Sequence, residues 1–166
     1  MKKPKTRSQK IKSKARKTLN GNLTKQKKRY VVDTSVIINQ FLPKLIKKGL
    51  KGTLIIPNAV MAELENLANK GKEEGFVGLE EVANLHKVKD IKIHFQGARP
   101  GEMQIKYAKS GEIDAVIREV ARKNKAILIT ADLVQAKTAQ AYGLNVLFLR
   151  PRTKKQKKKS FLFWGK

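Results

Sequence analysis

The sequence predicts an α/β protein, a three-layer α/β/α sandwich with a central, mainly parallel five-stranded sheet. Three observations support this expectation. Short apolar runs rich in Val, Ile and Leu alternate about five times with stretches of helical periodicity. Most of these runs are continuously apolar, which is typical of strands that helices cover on both faces. Glycine or proline separates many of the segments, as at Pro57, Gly71 and Gly143.

Five strands are expected, at residues 29–32, 53–56, 91–95, 126–130 and 145–149. The first is a β-branched run that ends at Asp33, and the second is stopped by Pro57, because proline has no backbone N–H. The third alternates apolar and polar residues, and the last two are continuously apolar. The glycines and proline of residues 97–101 predict a loop after the third strand.

Apolar residues at helical spacing predict helices at residues 34–48, 58–70, 76–88, 112–124 and 132–142. Thr34 and Ser35 are candidate caps for the first helix, in which Pro43 is an obstacle. Asn58 is a candidate cap for the second helix, whose apolar stripe runs through residues 60–68. Helices between strands are the connections that a parallel sheet requires.

Charge divides the chain into three parts. Of its 38 Lys and Arg residues, 13 lie in residues 1–29 and 8 in residues 150–166, and neither segment contains an acid. Residues 30–149 hold the other 17 together with all 13 Asp and Glu. We therefore expect a nearly balanced domain at residues 30–149 between two basic tails, the first of them disordered by itself. Nucleic acid is the expected partner, because neutralising phosphates releases condensed counterions.

Several classes of site and location are not expected. The chain has no cysteine, which excludes disulfides and thiolate metal sites. No apolar run is long enough to cross a membrane and no apolar region follows the basic start, so we expect neither a transmembrane helix nor a signal peptide, and a cytoplasmic location. His86 and His94 are the two histidines, and packing or surface roles are expected, because a zinc site needs more protein ligands.

Four acids are placed to meet at one edge of the predicted sheet. In an open parallel sheet, sites form at the carboxyl ends of the strands. Asp33 follows the first strand and Asp132 follows the fourth. Asp114 lies in the first turn of the helix that leads into the fourth strand, and Glu63 borders the buried stripe of the second helix.

Each of these acids also has a purely structural interpretation. Asp33 could start a helix, Asp114 could complement a helix dipole, and Glu63 could be a solvated helix residue. Asp132 has the spacing of a capping box with Gln135. Together, however, like charges at one edge repel each other unless a cation lies among them. An all-oxygen set of ligands suits Mg²⁺ or Mn²⁺.

Four segments resemble the sequence motifs of PIN-domain nucleases and occur in the same order. They are residues 31–35 (Val-Val-Asp-Thr-Ser), 57–64 (Pro-Asn-Ala-Val-Met-Ala-Glu-Leu), 111–115 (Gly-Glu-Ile-Asp-Ala) and 129–132 (Ile-Thr-Ala-Asp). Residues 68–80 and 111–132 are most similar to PIN domains that archaea attach to PilT-like ATPases. The chain lacks the Gly-x-x-x-x-Gly-Lys-Ser/Thr loop of the ATPase half. The long basic start resembles PIN proteins of ribosomal RNA processing.

The resemblance implies metal-dependent endonucleolytic cleavage of RNA, usually single-stranded. Asp33 and Asp114 would be the principal ligands of one or two Mg²⁺ or Mn²⁺ ions, and Asp132 would complete the site. Glu63 would bind metal or orient a metal-bound water. Neighbouring side chains would fix the carboxylates, namely Thr34, Ser35 and Thr130. Glu112 is either an accessory acid or a residue that complements the helix dipole.

RNA contacts are expected outside the acidic site. The candidates are Arg99, Lys106, Lys109 and the two basic tails, with solvated charge as the alternative. Residues 161–164 (Phe-Leu-Phe-Trp) could stack on bases, bind a protein groove, touch a membrane surface or pack on the domain. The sequence also leaves open whether the chain forms a homodimer.

Three functions follow from these observations. The first is a Mg²⁺- or Mn²⁺-dependent endoribonuclease in ribosomal or other RNA processing. The second is a PIN-fold RNA-binding or ribosome-assembly factor that does not cleave. The third is the toxin of a toxin–antitoxin pair. The complete acidic set favours an enzyme, and the basic tails favour RNA in either of the first two cases.

Overall fold

The structure is a computed structural model that describes residues 28–107 and 111–151. Its elements in chain order are β1 (Arg29–Val32), α1 (Thr34–Ile38), α2 (Leu42–Lys47), β2 (Gly52–Pro57), α3 (Asn58–Asn69), α4 (Glu73–Leu85), β3 (Ile91–Gln96), α5 (Glu102–Tyr107), α6 (Glu112–Lys123), β4 (Ile127–Thr130), α7 (Leu133–Ala141) and β5 (Val146–Phe148). The expectations for the basic tails, for Lys109 and for residues 161–164 lie outside the described residues.

The five strands form one sheet in the order β3-β2-β1-β4-β5, and all neighbouring pairs are parallel. The predicted α/β architecture is therefore confirmed, and the sheet is wholly rather than mainly parallel. The chain moves from β1 through β2 to β3, then returns past β1 to β4 and β5. This reversal makes the gap between β1 and β4 the topological switch point, where sites of open α/β sheets form.

Helices cover both faces of the sheet. Helix α6 packs on β1 and β4, and α7 packs on β4 and β5. For the observed strand order, the general preference for right-handed crossovers puts α1–α4 over one face and α6 and α7 over the other. The residues facing the helices are continuously apolar, and Val31, Ile55 and Leu128 are almost completely buried. Burial of both strand faces explains why these runs do not alternate with polar residues.

Helices α3 and α4 approach each other closely at Gly75. A Cβ atom there would lie 2.8 Å from both Leu64 O and Ala68 Cα, which is closer than side chains pack. The absence of a side chain therefore allows the two helix backbones to come together, and it fixes α3, which carries Glu63, against the domain.

Some predicted boundaries are wrong. The first helical stretch is divided into α1 and α2, with Gln40 at φ 53° between them, and Pro43 lies in the first turn of α2, where its missing N–H is harmless. Asn58 does not cap α3; it is the first helical residue, and its side chain donates to Gly97 O at 2.7 Å. Helix α4 begins at Glu73 rather than near residue 76, and α5 was not predicted. Among the described residues, no helix has the length and apolar character needed to span a membrane.

Candidate active site

Four carboxylates gather at the carboxyl end of the sheet, at the switch point between β1 and β4. We call this group, Asp33, Glu63, Asp114 and Asp132, the acidic cleft. Asp33 directly follows β1, and its N–H donates to Ile129 O of β4 at 3.0 Å, which continues the sheet ladder to the edge. Asp132 follows β4, Asp114 lies in the first turn of α6, and Glu63 lies on α3. The convergence of these elements is what the strand order predicts.

Asp33 is the fixed member of the acidic cleft. It is 3% exposed, and its Oδ2 accepts hydrogen bonds from Ser35 Oγ at 2.5 Å and Thr130 Oγ1 at 2.7 Å. Each hydroxyl also accepts a backbone N–H: Ser35 from Ala131 at 2.9 Å, and Thr130 from Asp132 at 3.0 Å. Because a hydroxyl has only one proton, both protons are directed to Asp33. Asp33 is the N-cap residue of α1 by position, but its side chain makes no capping bond to that helix and accepts from Ser35 and Thr130 instead.

Glu63 is held by α1. Its Oε2 accepts a hydrogen bond from Thr34 Oγ1, and the carboxylate is half-buried. Thr34 directly follows Asp33, so α1 carries hydroxyls for both acids: Thr34 for Glu63 and Ser35 for Asp33. The Val-Val-Asp-Thr-Ser segment therefore positions two carboxylates from different elements.

A second network joins α7 to α6. Asp132 Oδ1 accepts the N–H of Gln135 at 2.9 Å, so the predicted cap of α7 is confirmed. The Gln135 side chain is completely buried and does not return to Asp132; its Nε2 donates to Asp114 O at 3.1 Å. Its Oε1 accepts a hydrogen bond from Arg118 Nη1. Asp132 is therefore both a helix cap and a member of the acidic cleft.

The acids of the cleft disfavour one another's charge. Burial raises the pKa of Asp33, and repulsion from Asp132 adds to this, while the Ser35 and Thr130 hydroxyls oppose it. Burial also raises the pKa of Glu63, with repulsion from Asp33 and Asp114. For Asp114, burial again raises the pKa, together with Asp33 and Asp132. The four carboxylates thus lie within electrostatic range of each other.

The donor set fits a hard divalent cation. All four candidate ligands are carboxylates, and a cation among them would relieve the repulsion that raises their pKa values. Within residues 28–107 and 111–151, however, no three His, Cys, Asp or Glu side chains form a ready-made ligand group. Since Asp33 is held by two hydroxyls, cation binding requires the less buried acids to turn towards it.

The other candidate residues lie beside the cleft. Glu112 is exposed in the first turn of α6, as helix-dipole complementation requires, and it lines a cavity of about 270 Å³ with Arg99 and Tyr107. Arg99 forms an ion pair with Glu65. Lys106 lies over the Tyr107 ring, 5.4 Å from its centroid. The basic groups expected to contact RNA are thus partly engaged with neighbours.

The histidines do not join the acidic cleft. His86 stacks on Phe95, with the ring centroids 6.2 Å apart, and His94 is exposed on β3. Packing and surface positions agree with the expectation from the sequence.

Two side chains around the cleft were missed in the sequence. Gln135 was recognised only for its spacing from Asp132, and its burial depends on α7 packing beside α6. Arg118 lies four residues after Asp114 on the same helix face, a spacing that could have indicated an ion pair. Its charge lowers the pKa of Asp114, although burial and repulsion outweigh it. Its guanidinium also lies 5.9 Å from the centroid of the Tyr142 ring.

Known proteins are similar to the part of the chain that contains the sheet and the acidic cleft. A family model described as PIN domain matches residues 30–147. An uncharacterised KH- and PIN-domain protein of Methanocaldococcus jannaschii is 46% identical over 127 residues, 74% of this chain and 20% of that protein. A Holliday junction branch migration ATPase of Sulfolobus acidocaldarius is 21% identical over 120 residues, 72% of this chain and 22% of that protein.

A solved structure is also similar. A domain of a functionally unknown protein from Methanocaldococcus jannaschii is 42% identical, with a TM-score of 0.71, over 76% of this chain and 94% of that domain. The chain spans about a fifth of the length of the two curated relatives named above.

Proposed function

The chain belongs to the PIN domain family, and we propose that it is a metal-dependent endoribonuclease, which hydrolyses phosphodiester bonds inside RNA. PIN domains are typically nucleases and generally use divalent metal ions. The observation that carries the proposal is the meeting of Asp33, Glu63, Asp114 and Asp132 at the switch point of the sheet. A protein that only binds RNA gains nothing from four negative charges beside a phosphate backbone.

Each acid has a proposed role. Asp33 and Asp114 are the principal ligands of Mg²⁺ or Mn²⁺, Asp132 completes the set, and Glu63 either joins it or holds the attacking water. A bound divalent cation lowers the pKa of water and neutralises charge on the phosphate. The exposed Asp132 and the half-buried Glu63 and Asp114 are accessible to substrate, whereas Asp33 forms the floor of the site.

The hydroxyls around the cleft are proposed to position the acids. Ser35 and Thr130 both donate to Asp33, and Thr34 donates to Glu63, so two carboxylates keep their orientation before substrate arrives. Hydrogen bonds to ionised carboxylates also favour the charged form that a metal requires. We propose that Arg118 acts similarly on Asp114, because its charge opposes the rise in the Asp114 pKa.

RNA is the proposed substrate, with ribosomal or other RNA processing as the setting. The two tails contribute 21 of the 38 basic residues, which suits a phosphate backbone. The relative at 46% identity is described as containing a KH domain, a module that clamps single-stranded nucleotides. Another relative is described as a Holliday junction ATPase, so DNA is the substrate to compare.

The deciding experiment measures cleavage of end-labelled single-stranded RNA and DNA with Mg²⁺, with Mn²⁺ and with EDTA. We expect internal cuts in RNA that require the cation. Asp33→Asn keeps one acceptor oxygen for the Ser35 and Thr130 hydroxyls but removes the charge. Its cleavage rate should fall by about 100-fold or more, because the loss of an outer partner of a metal ligand alone typically costs about 10–100-fold. Cleavage that persists in EDTA or in Asp33→Asn would refute the mechanism.

A matched control separates charge loss in the cleft from charge loss elsewhere. Asp90→Asn makes the same substitution at an exposed residue that is paired with Lys51 at the amino end of β3, opposite the cleft. It should cleave like the unchanged protein. Equal losses in Asp33→Asn and Asp90→Asn would show a general effect of charge.

A non-cleaving RNA-binding factor is the second candidate. It is favoured by the lack, among the described residues, of three acids already grouped as metal ligands. RNA binding without cleavage under every cation would support it. Removal of residues 1–27, which contain 11 Lys and Arg, should weaken RNA binding under either function. The RNA-binding constant should also depend less on salt. The slope of its logarithm against the logarithm of salt concentration should decrease by roughly 0.7 for each phosphate that the tail no longer neutralises.

A further inference from the structure

A second concave site lies away from the acidic cleft, between α2 and α4. It is a cavity of about 640 Å³, larger than the cavity beside Glu112. Its walls are largely apolar and include Pro43, Ile46, Val77, Leu85 and Val88. A volume of this size accommodates large apolar side chains or a drug-sized ligand.

Glu81 provides an unusual polar group in this apolar cavity. It lies on α4 and is 8% exposed, and its Oε1 has no hydrogen-bond partner among the described residues. The backbone N–H of Leu42, at the start of α2, opposes the rise in the pKa of this carboxylate. Burial raises the pKa of Glu81 to about 7. A buried acceptor without a partner is costly, so an occupant that brings a hydrogen-bond donor would be favoured.

The cavity has one acidic wall, formed by α4, and one basic wall, formed by α2. Helix α4 carries Glu73, Glu74, Glu80 and Glu81 and contains no Lys or Arg, whereas the whole chain has a net charge of +25. Lys44 and Lys47 of α2 line the opposite wall. A suitable occupant is therefore apolar, carries a hydrogen-bond donor and places its flanking positive charge along α4, away from Lys44 and Lys47.

Residues 161–164 of the same chain have all three properties. The segment Phe-Leu-Phe-Trp is apolar, Trp164 has an indole N–H that can only donate, and residues 152–159 before it contain six Lys and Arg. Nine residues, 152–160, separate it from the last described residue and reach about 30 Å when extended, at ~3.3 Å each. A domain of this size has a radius of gyration of about 14 Å, so that reach is comparable to its diameter.

We propose that residues 161–164 occupy the α2–α4 cavity of their own chain, and that the Glu81 side chain turns so that its buried Oε1 accepts the Trp164 indole N–H. The apolar side chains of the segment replace water against Val77 and Leu85, and the preceding lysines lie beside the exposed acids of α4. This inference does not depend on nuclease activity.

Trp164 is the only tryptophan, so the intact protein reports its own docking by fluorescence. The tryptophan emission maximum of the full chain should lie at a shorter wavelength than that of a peptide of residues 152–166. Acrylamide should quench the emission of the full chain severalfold less than that of the peptide. Val77→Asp places a charge in the cavity and should restore the emission and quenching of the peptide. Val134→Asp is the matched control, because Val134 is exposed on α7 and outside the cavity, and it should change neither.

Further variants make the result independent of one substitution. Asn84 is exposed on the rim of the cavity, so Asn84→Arg should repel the basic segment without disturbing the core. This variant provides the same test if Val77→Asp does not fold. Glu81→Gln keeps an acceptor and should retain the blue shift, whereas Glu81→Met removes the acceptor and should reduce it. Emission equal to that of the peptide in the full chain would overturn the proposal. A blue shift that remains in both Val77→Asp and Asn84→Arg would also overturn it. A blue shift that increases with protein concentration would overturn it too, because it would indicate that the segment docks on a second copy of the chain.

Discussion

Thr130→Val tests the hydroxyl network that holds Asp33. Thr130 is completely buried and makes two hydrogen bonds, donating to Asp33 Oδ2 at 2.7 Å and accepting from Asp132 N at 3.0 Å. Valine has nearly the same shape but can make neither bond. A bond to a charged group contributes about 1.5–3 kcal/mol and an ordinary one about 0.5–1.5 kcal/mol. The free energy of unfolding should therefore fall by about 2–4 kcal/mol.

The pH dependence of this loss follows from the pKa of Asp33. Burial raises that pKa in the folded protein, while the Thr130 hydroxyl opposes the rise by stabilising the carboxylate. Ionised Asp33 is therefore less well tolerated in Thr130→Val than in the unchanged protein. The difference in unfolding free energy between Thr130→Val and the unchanged protein should be largest at pH 8. It should become smaller as the pH falls through the raised pKa of Asp33, because Asp33 then becomes neutral.

Urea unfolding followed by circular dichroism, at pH 8 and pH 5 without divalent cation, measures both effects. Thr53→Val is the matched control, since Thr53 is a half-buried strand residue outside the cleft, and it should change stability by no more than about 0.5 kcal/mol. Thr130→Ser keeps the hydroxyl and should recover most of the loss. If Thr130→Val is as stable as Thr53→Val at pH 8, the network does not hold Asp33 as inferred.

Two other predictions concern the cleft and the core. The metal-free protein should lose stability as the pH rises through the raised pKa values of the cleft, because its folded state holds protons more tightly than its unfolded state. Mn²⁺ at 100 times its dissociation constant should add about 2.7 kcal/mol at pH 8 and less at pH 5; equal thermal shifts at both pH values would contradict this. Gly75→Ala should lower the free energy of unfolding by about 1–3 kcal/mol in urea, because its Cβ would overlap backbone atoms of Leu64 and Ala68 in α3. Gly101→Ala, whose Cβ would meet nothing closer than 3.9 Å, is its control, and equal losses in the two variants would refute the packing argument.

The architecture could be predicted because its local and global signals agree. Continuously apolar strands such as Ile127–Thr130 require cover on both faces, and helices between them require parallel crossovers. The rule that sites form at the carboxyl ends of parallel strands predicted that Asp33 and Asp132 would share an edge, since Asp33 directly follows β1 and Asp132 comes two residues after the end of β4. These conclusions depend on neighbouring residues in sequence and on general rules of sheet geometry.

Other local features were not predictable in the same way. Asn58 has the residue type of a cap, but tertiary contact draws its side chain to Gly97 O. The short helix α5 has no buried residue, so it lacks the apolar stripe by which helices are recognised. Sequence spacing alone does not reveal which of two satisfactory hydrogen bonds a polar side chain makes.

The parallel α/β fold, the four acids and their approximate meeting place could all be predicted from the order of the residues. The folded structure was needed to show that β1 lies beside β4, that both Ser35 and Thr130 donate to Asp33, and that Gln135 joins α7 to α6. It also decided that Glu81 is buried in a cavity with one oxygen unpaired among the described residues. The physical reason is range: apolar periodicity is a local property, whereas these hydrogen bonds join residues up to 97 positions apart, which only packing brings together.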